Sequence, residues 1–125
     1  MFTNQMIDNA VGAYTNALFF ADGSEEGDQF YGCDDDADHM EWLQAVVKMR
    51  VIDFCKRNEN NVQGYLNQFD IHQLGHDLYL SEADHGAGFW DRGLGELGET
   101  LHNATEHNNL ASRLYVDDDN KIRVD

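Results

Sequence analysis

Apolar side chains at Ile7, Ala10, Val11, Tyr14 and Leu18 recur at steps of three and four, the spacing of one helical face. This predicts an amphipathic helix over residues 4–20, stopped by the turn formers Ala21-Asp22-Gly23-Ser24. A second stripe, Met40, Leu43, Val46, Val47, Val51, Phe54 and Cys55, predicts a helix over 36–57. Asp34, Asp35 and Asp36 stand at its start and Lys56 and Arg57 at its end, the polarity that the helix dipole favours. Residues 61–74 predict a weaker helix, interrupted by Gly64.

The pattern then shortens. His76-Asp77-Leu78-Tyr79-Leu80 reads as a strand, Glu82-Ala83-Asp84-His85-Gly86 as a turn and Ala87-Gly88-Phe89-Trp90 as the returning strand. Leu94, Leu97, Leu101 and Ala104 space as a helix over 94–107. Arg113-Leu114-Tyr115-Val116, the turn Asp117-Asp118-Asp119-Asn120 and Lys121-Ile122-Arg123-Val124 read as a second hairpin. Helices followed by short antiparallel strands predict one α+β domain over 1–125, N-terminal helices packed with short β-hairpins. The expected core holds Val11, Tyr14, Leu43, Val47, Phe54, Leu78, Leu97 and Leu114.

Charge changes the picture more than composition does. Twenty-four acids oppose eight bases, a net −16 with histidine neutral, and residues 22–38 carry eight of the acids without one base. Such a surface repels nucleic-acid phosphates and anionic membranes, so a basic protein surface is the expected partner and direct nucleic-acid binding is not. No apolar run approaches the roughly 20 residues of a membrane span, and the start Met1-Phe2-Thr3-Asn4-Gln5 lacks the basic and apolar stretches of a signal peptide. Cys33 and Cys55 are too few for a disulfide scaffold and read as reduced cytosolic thiols.

One segment is specific. Leu74-Gly75-His76-Asp77-Leu78-Tyr79-Leu80, then His85-Gly86-Ala87-Gly88-Phe89-Trp90-Asp91-Arg92-Gly93-Leu94-Gly95, and finally Leu114-Tyr115-Val116 ahead of Lys121-Ile122, resemble a family of short acidic proteins encoded by tailed bacteriophages. The resemblance covers about residues 74–124 and implies a phage protein working in the cytoplasm of a bacterial host; it implies no chemistry. Members of that family carry a basic residue and Asn-Gly before the motif histidine, where this chain has Glu82-Ala83-Asp84-His85.

Four constellations bear on function. Asp34, Asp38 and Glu41 are spaced to share a helix face, with Asp35 beside them and Glu25, Glu26 and Asp28 just before. Duplex DNA carries one charge per ~1.7 Å of axis, so such an array can imitate it and occupy a DNA-binding cleft; a solvated loop and helix cap account for the same charges. Asp34-Asp35-Asp36 and Asp117-Asp118-Asp119 lack the alternating ligands and central glycine of a calcium loop. His72 and His76 stand four apart, but a strand at His76 would break that geometry, and no HExxH or paired CxxC occurs, so no metal or cofactor is expected. The glycines of 86–93 lack the lysine and hydroxyl of a phosphate loop; there Trp90 is expected to be buried and Asp91 to cap the following helix or to pair with Arg92 or Arg113.

The leading expectation is a non-enzymatic accessory protein that binds a host protein, as a DNA-mimicking inhibitor of a nucleic-acid-binding factor, through Glu25, Glu26, Asp28, Asp34, Asp35, Asp38 and Glu41. The alternatives are a small enzyme or metal-dependent site around His76, His85, Asp91 and Arg92 in the 76–92 hairpin, with Tyr79, His85, Trp90, Asp91 and Arg92 as a candidate groove, and a structural module that oligomerises through Phe89-Trp90.

Overall fold

The computed structural model describes residues 2–18, 37–83, 88–105, 114–116 and 122–124. Helices dominate: α1 (Asn4–Leu18), α2 (Ala37–Arg57), α3 (Glu59–Leu66), α4 (Ile71–Glu82), a single 3-10 turn (Phe89–Asp91) and α5 (Glu96–Ala104). Two three-residue strands follow, β1 (Leu114–Val116) and β2 (Ile122–Val124), paired antiparallel with Leu114 opposite Val124 and Val116 opposite Ile122. The α+β expectation is therefore corrected to a predominantly α-helical fold. The hairpin expected over 76–90 is replaced by the end of α4 and the 3-10 turn, and among the described residues strand structure is limited to one short ladder.

The largest departure from expectation lies at residues 71–82. Asp70 has extended backbone (φ −91°, ψ 175°), and its carboxylate accepts from the amide of Gln73 at 2.8 Å. It thus starts a new helix. The interruption expected at Gly64 falls instead after Leu66, at residues 67–70, and Gly64 lies inside α3. On α4 the residues Leu74, Gly75, Asp77, Leu78, Tyr79, Ser81 and Glu82 are all buried. A helix enclosed on most sides loses the one-sided apolar stripe that marks a surface helix. Two of its buried residues are acids, which makes the remaining apolar positions look like a short strand.

Around α4 pack α1, α3, α5 and the 3-10 turn, with the most extensive contact made by α1. Tyr14, Leu18, Leu43, Val47, Val51, Phe54, Val62, Tyr65, Leu74, Leu78, Tyr79, Phe89 and Leu101 belong to one continuous core. Of the expected core, Val11, Tyr14, Leu43, Val47, Phe54 and Leu78 are buried and Leu97 is partly buried against them; the Leu114 side chain lies outside the described set. Thr3 opens α1, its hydroxyl accepting from the Met6 amide at 3.1 Å. Among the described residues no helix is long and apolar enough to cross a membrane.

The crossing of α1 and α4 is close because Gly75 has no side chain. A methyl group there would overlap the Ala10 carbonyl and lie 3.0 Å from the Ala13 methyl. Gly75→Ala gains up to about 1 kcal/mol of helix propensity but must push α1 and α4 away from each other. The expected net effect is a loss of about 1–3 kcal/mol in urea unfolding; a stabilised variant would show that the crossing is looser than described.

Candidate functional site

The polar chemistry of the interior is concentrated on α4, in two carboxylates five positions apart. Asp77, 0% exposed, accepts hydrogen bonds from the side chains of Arg92, Tyr65 and Gln73. Arg92 reaches it with Nε (3.1 Å to Oδ1, 3.2 Å to Oδ2) and Nη2 (2.9 Å to Oδ1). The Tyr65 hydroxyl donates at 2.6 Å and Gln73 Nε2 at 3.1 Å. At the other end of α4, Glu82 Oε2 accepts from Arg50 Nη1 at 3.0 Å and Oε1 from the Tyr14 hydroxyl at 2.5 Å. An ionised carboxylate removed from water is tolerated only when paired and hydrogen-bonded, and both are.

Burial first, and then the neighbouring carboxylates, hold the phenols of Tyr14 and Tyr65 well above their ordinary range, so both remain neutral donors. The Cys55 thiol is pushed up to about 12 by burial alone, which leaves it an inert core side chain at neutral pH.

The glycine-rich segment folds as a clip over α4. Gly88 has φ +118°, and a side chain on it would overlap the Ser81 hydroxyl, so both its conformation and the close approach require glycine. The Ser81 hydroxyl accepts from the Phe89 amide at 3.2 Å. Phe89 inserts into the core, stacked on Phe54 (centroids 5.6 Å apart, planes at 6°) and edge-on to Tyr65 (5.4 Å, 86°). Three residues on, Arg92 fastens to Asp77. Between these two anchors Trp90 is left 49% exposed and Asp91 is exposed.

The motif therefore divides its aromatics differently from expectation. Phe89 is the buried ring and Trp90 the presented one, because the 3-10 turn points successive side chains to different sides. Arg92 pairs with Asp77 rather than Asp91, and α5 begins at Glu96 behind Gly95 with no side-chain cap. Of the candidate groove, Trp90, Asp91 and Arg92 share the clip, whereas Tyr79 is fully buried edge-on to Tyr14 (5.2 Å, 79°). His85 lies outside the described residues. So do Glu25, Glu26, Asp28, Asp34 and Asp35; Asp38 and Glu41 are placed on the first turns of α2. From sequence, Tyr14 is expected only as a core residue and Asp77 only in the motif and beside the histidines; Glu82, Tyr65 and Arg50 are given no functional role. The signal available was an acid at two positions of an otherwise apolar segment led by Asp70-Ile71-His72-Gln73, a helix-start pattern.

The remaining polar surface is partly matched. A narrow cleft between α2 and α4 presents Arg57 beside Asp53, paired at 2.8 Å. His72 and His76 are both exposed on α4, facing a groove shared with α1. No family model, no curated protein and no solved structure matches the chain.

Phe89→Ala should cost about 3–5 kcal/mol, the range for emptying a large core site, while Trp90→Ala should cost about 1 kcal/mol or less, as for a surface position. Denaturant titration of both variants checks the division; a Trp90 variant as damaged as the Phe89 variant would contradict it.

Arg50→Met removes the guanidinium bonded to the buried Glu82 carboxylate, and a loss of about 3–5 kcal/mol is expected in the same titration.

Unfolded tyrosine ionises near pH 10, whereas Tyr14 and Tyr65 stay protonated above that in the native state. The native protein then binds more protons than the unfolded chain. Their contribution is complete below pH about 10 and is lost as pH rises from there toward the native values. Melting temperature should fall steeply above that pH, and the phenolate absorbance of these two tyrosines should appear only with unfolding. Tyr14→Phe/Tyr65→Phe should flatten the alkaline fall; an unchanged slope would refute the assignment.

Proposed function

We propose that the chain is a non-enzymatic accessory protein of a tailed bacteriophage, acting in the host cytoplasm, that binds a host protein through that partner's basic surface and competes there with nucleic acid. The observation that carries this reading is where the charge resides. The two buried ion pairs, Asp77–Arg92 and Glu82–Arg50, are each neutral, so the whole net charge of −16 falls on the rest of the chain. Two of the eight bases are thereby committed to buried carboxylates, and Arg57 is matched by Asp53. An anionic surface of this strength steers encounter with a cationic partner and opposes other anions. Asp77 and Glu82, the carboxylates with the most elaborate surroundings, have donors on both oxygens and are spent on holding the fold, which argues for binding rather than turnover.

The resemblance to short acidic phage proteins supports the biological setting. The DNA-competitor reading rests on the acids of 22–41, of which Asp38 and Glu41 stand one turn apart on α2. A second reading, association through the 88–95 clip, is favoured by the half-exposed Trp90 between two fixed anchors; a rigid aromatic loses little entropy on binding.

Replacing Asp34, Asp35, Asp38 and Glu41 by Asn or Gln should leave the melting temperature near that of the wild type. It should weaken capture of a nucleic-acid-binding host factor and remove much of its salt dependence, read by pull-down from host lysate at rising salt. Full-strength capture by the neutralised protein at low and moderate salt would refute the mimic. Capture lost only in Trp90→Ala, or a wild-type dimer that this variant dissociates in sedimentation, would select the second reading.

A further inference from the structure

We propose that His72 and His76 form a two-histidine site for a divalent transition cation such as Ni(II), Cu(II) or Zn(II). The structure places both on α4, four residues apart, and both side chains are exposed. Residues at i and i+4 of a helix have Cβ atoms about 5–6 Å apart on one face. Imidazole nitrogens at that spacing can converge on one ion at about 2.0–2.1 Å, as the two histidines of an HExxH helix do.

Both side chains line the same groove between α4 and α1, together with Asp8, Asn9 and Asn16. The groove has room, since a side chain at Gly12, which also lines it, would meet nothing within 4 Å. Asp8 adds negative charge at the rim, paired only loosely with Lys48 at 4.0 Å, and the net charge of −16 favours cations generally. The carbonyl and amide groups of Asn9 and Asn16 offer hydrogen-bond partners for metal-bound water.

The backbone beneath the pair is held in place. Asp70 caps the helix two residues before His72, and Gly75, one residue before His76, is pressed on α1. The two ligands are thus presented in fixed register rather than assembled on binding. Among the described residues no set of three or more His, Cys, Asp or Glu surrounds an ion. The site therefore supplies two protein ligands, with water in the other positions. This is an exchangeable site, with affinity expected to follow the order Cu(II) above Ni(II) and Zn(II). The site is independent of the acidic binding surface proposed above.

The test is calorimetric titration of the tag-free full-length protein with nickel chloride. One ion per chain is expected, and His72→Gln and His76→Gln should each lower the affinity at least tenfold. The double variant should show no binding at this site, because neither of the two imidazole bonds to the ion remains. His107→Gln should leave the affinity unchanged. Both histidines of the pair are exposed, so circular dichroism of the variants should match the wild type; each is in any case compared with its own metal-free state. No binding by the wild type, or wild-type affinity in both single variants, would overturn the site. Two ions per wild-type chain, with each single variant losing one and holding the other at unchanged affinity, would replace the chelate with two separate single-histidine contacts and would likewise overturn it.

Discussion

Two carboxylates on one central helix must be kept ionically satisfied without water, and much of the architecture follows from that demand. Asp77 draws Tyr65 from α3, Gln73 from its own helix and Arg92 from the clip. Glu82 draws Tyr14 from α1 and Arg50 from α2. Separate segments are thereby tied to α4 by directional bonds, in addition to the non-directional packing of the core. The cost of desolvating each acid is several kcal/mol, so these bonds do not make the fold stable by themselves. They favour this arrangement, since a packing that omits one of these elements leaves a buried carboxylate with fewer donors.

The clip shows how a short glycine-rich run acquires fixed geometry. Gly88 lets the backbone lie on Ser81, Phe89 enters the aromatic cluster of Phe54 and Tyr65, and Arg92 closes the loop on Asp77. Trp90 lies between these anchored residues and is itself half-exposed.

Inside the molecule charge is balanced in pairs, while outside it is left strongly negative. Internal balance commits Arg50 and the partly exposed Arg92 to buried carboxylates, so neither offsets exposed acids. This separation lets one chain satisfy its buried polar groups and still present a field suited to a cationic partner.

How far the sequence could be read depended on how one-sided each element is. Helices α1 and α2 carry single apolar stripes, so their existence and most of their limits followed from spacing alone, as did Val11, Tyr14, Leu43, Val47, Phe54 and Leu78 as core residues. The net charge was also legible, since it does not depend on folding. Helix α4 was not, because burial on nearly every side erases amphipathic period, and its acids at 77 and 82 read as surface residues until their partners are in place. The pairing of Asp77 with Arg92, 15 positions away, and of Glu82 with Arg50, 32 positions away, is a matter of tertiary contact that no local pattern encodes. The same holds for Phe89 and Trp90: the sequence determined that two large aromatics stand side by side, and only the turn of the chain against Ser81 and Asp77 decided which of them faces the core and which faces water.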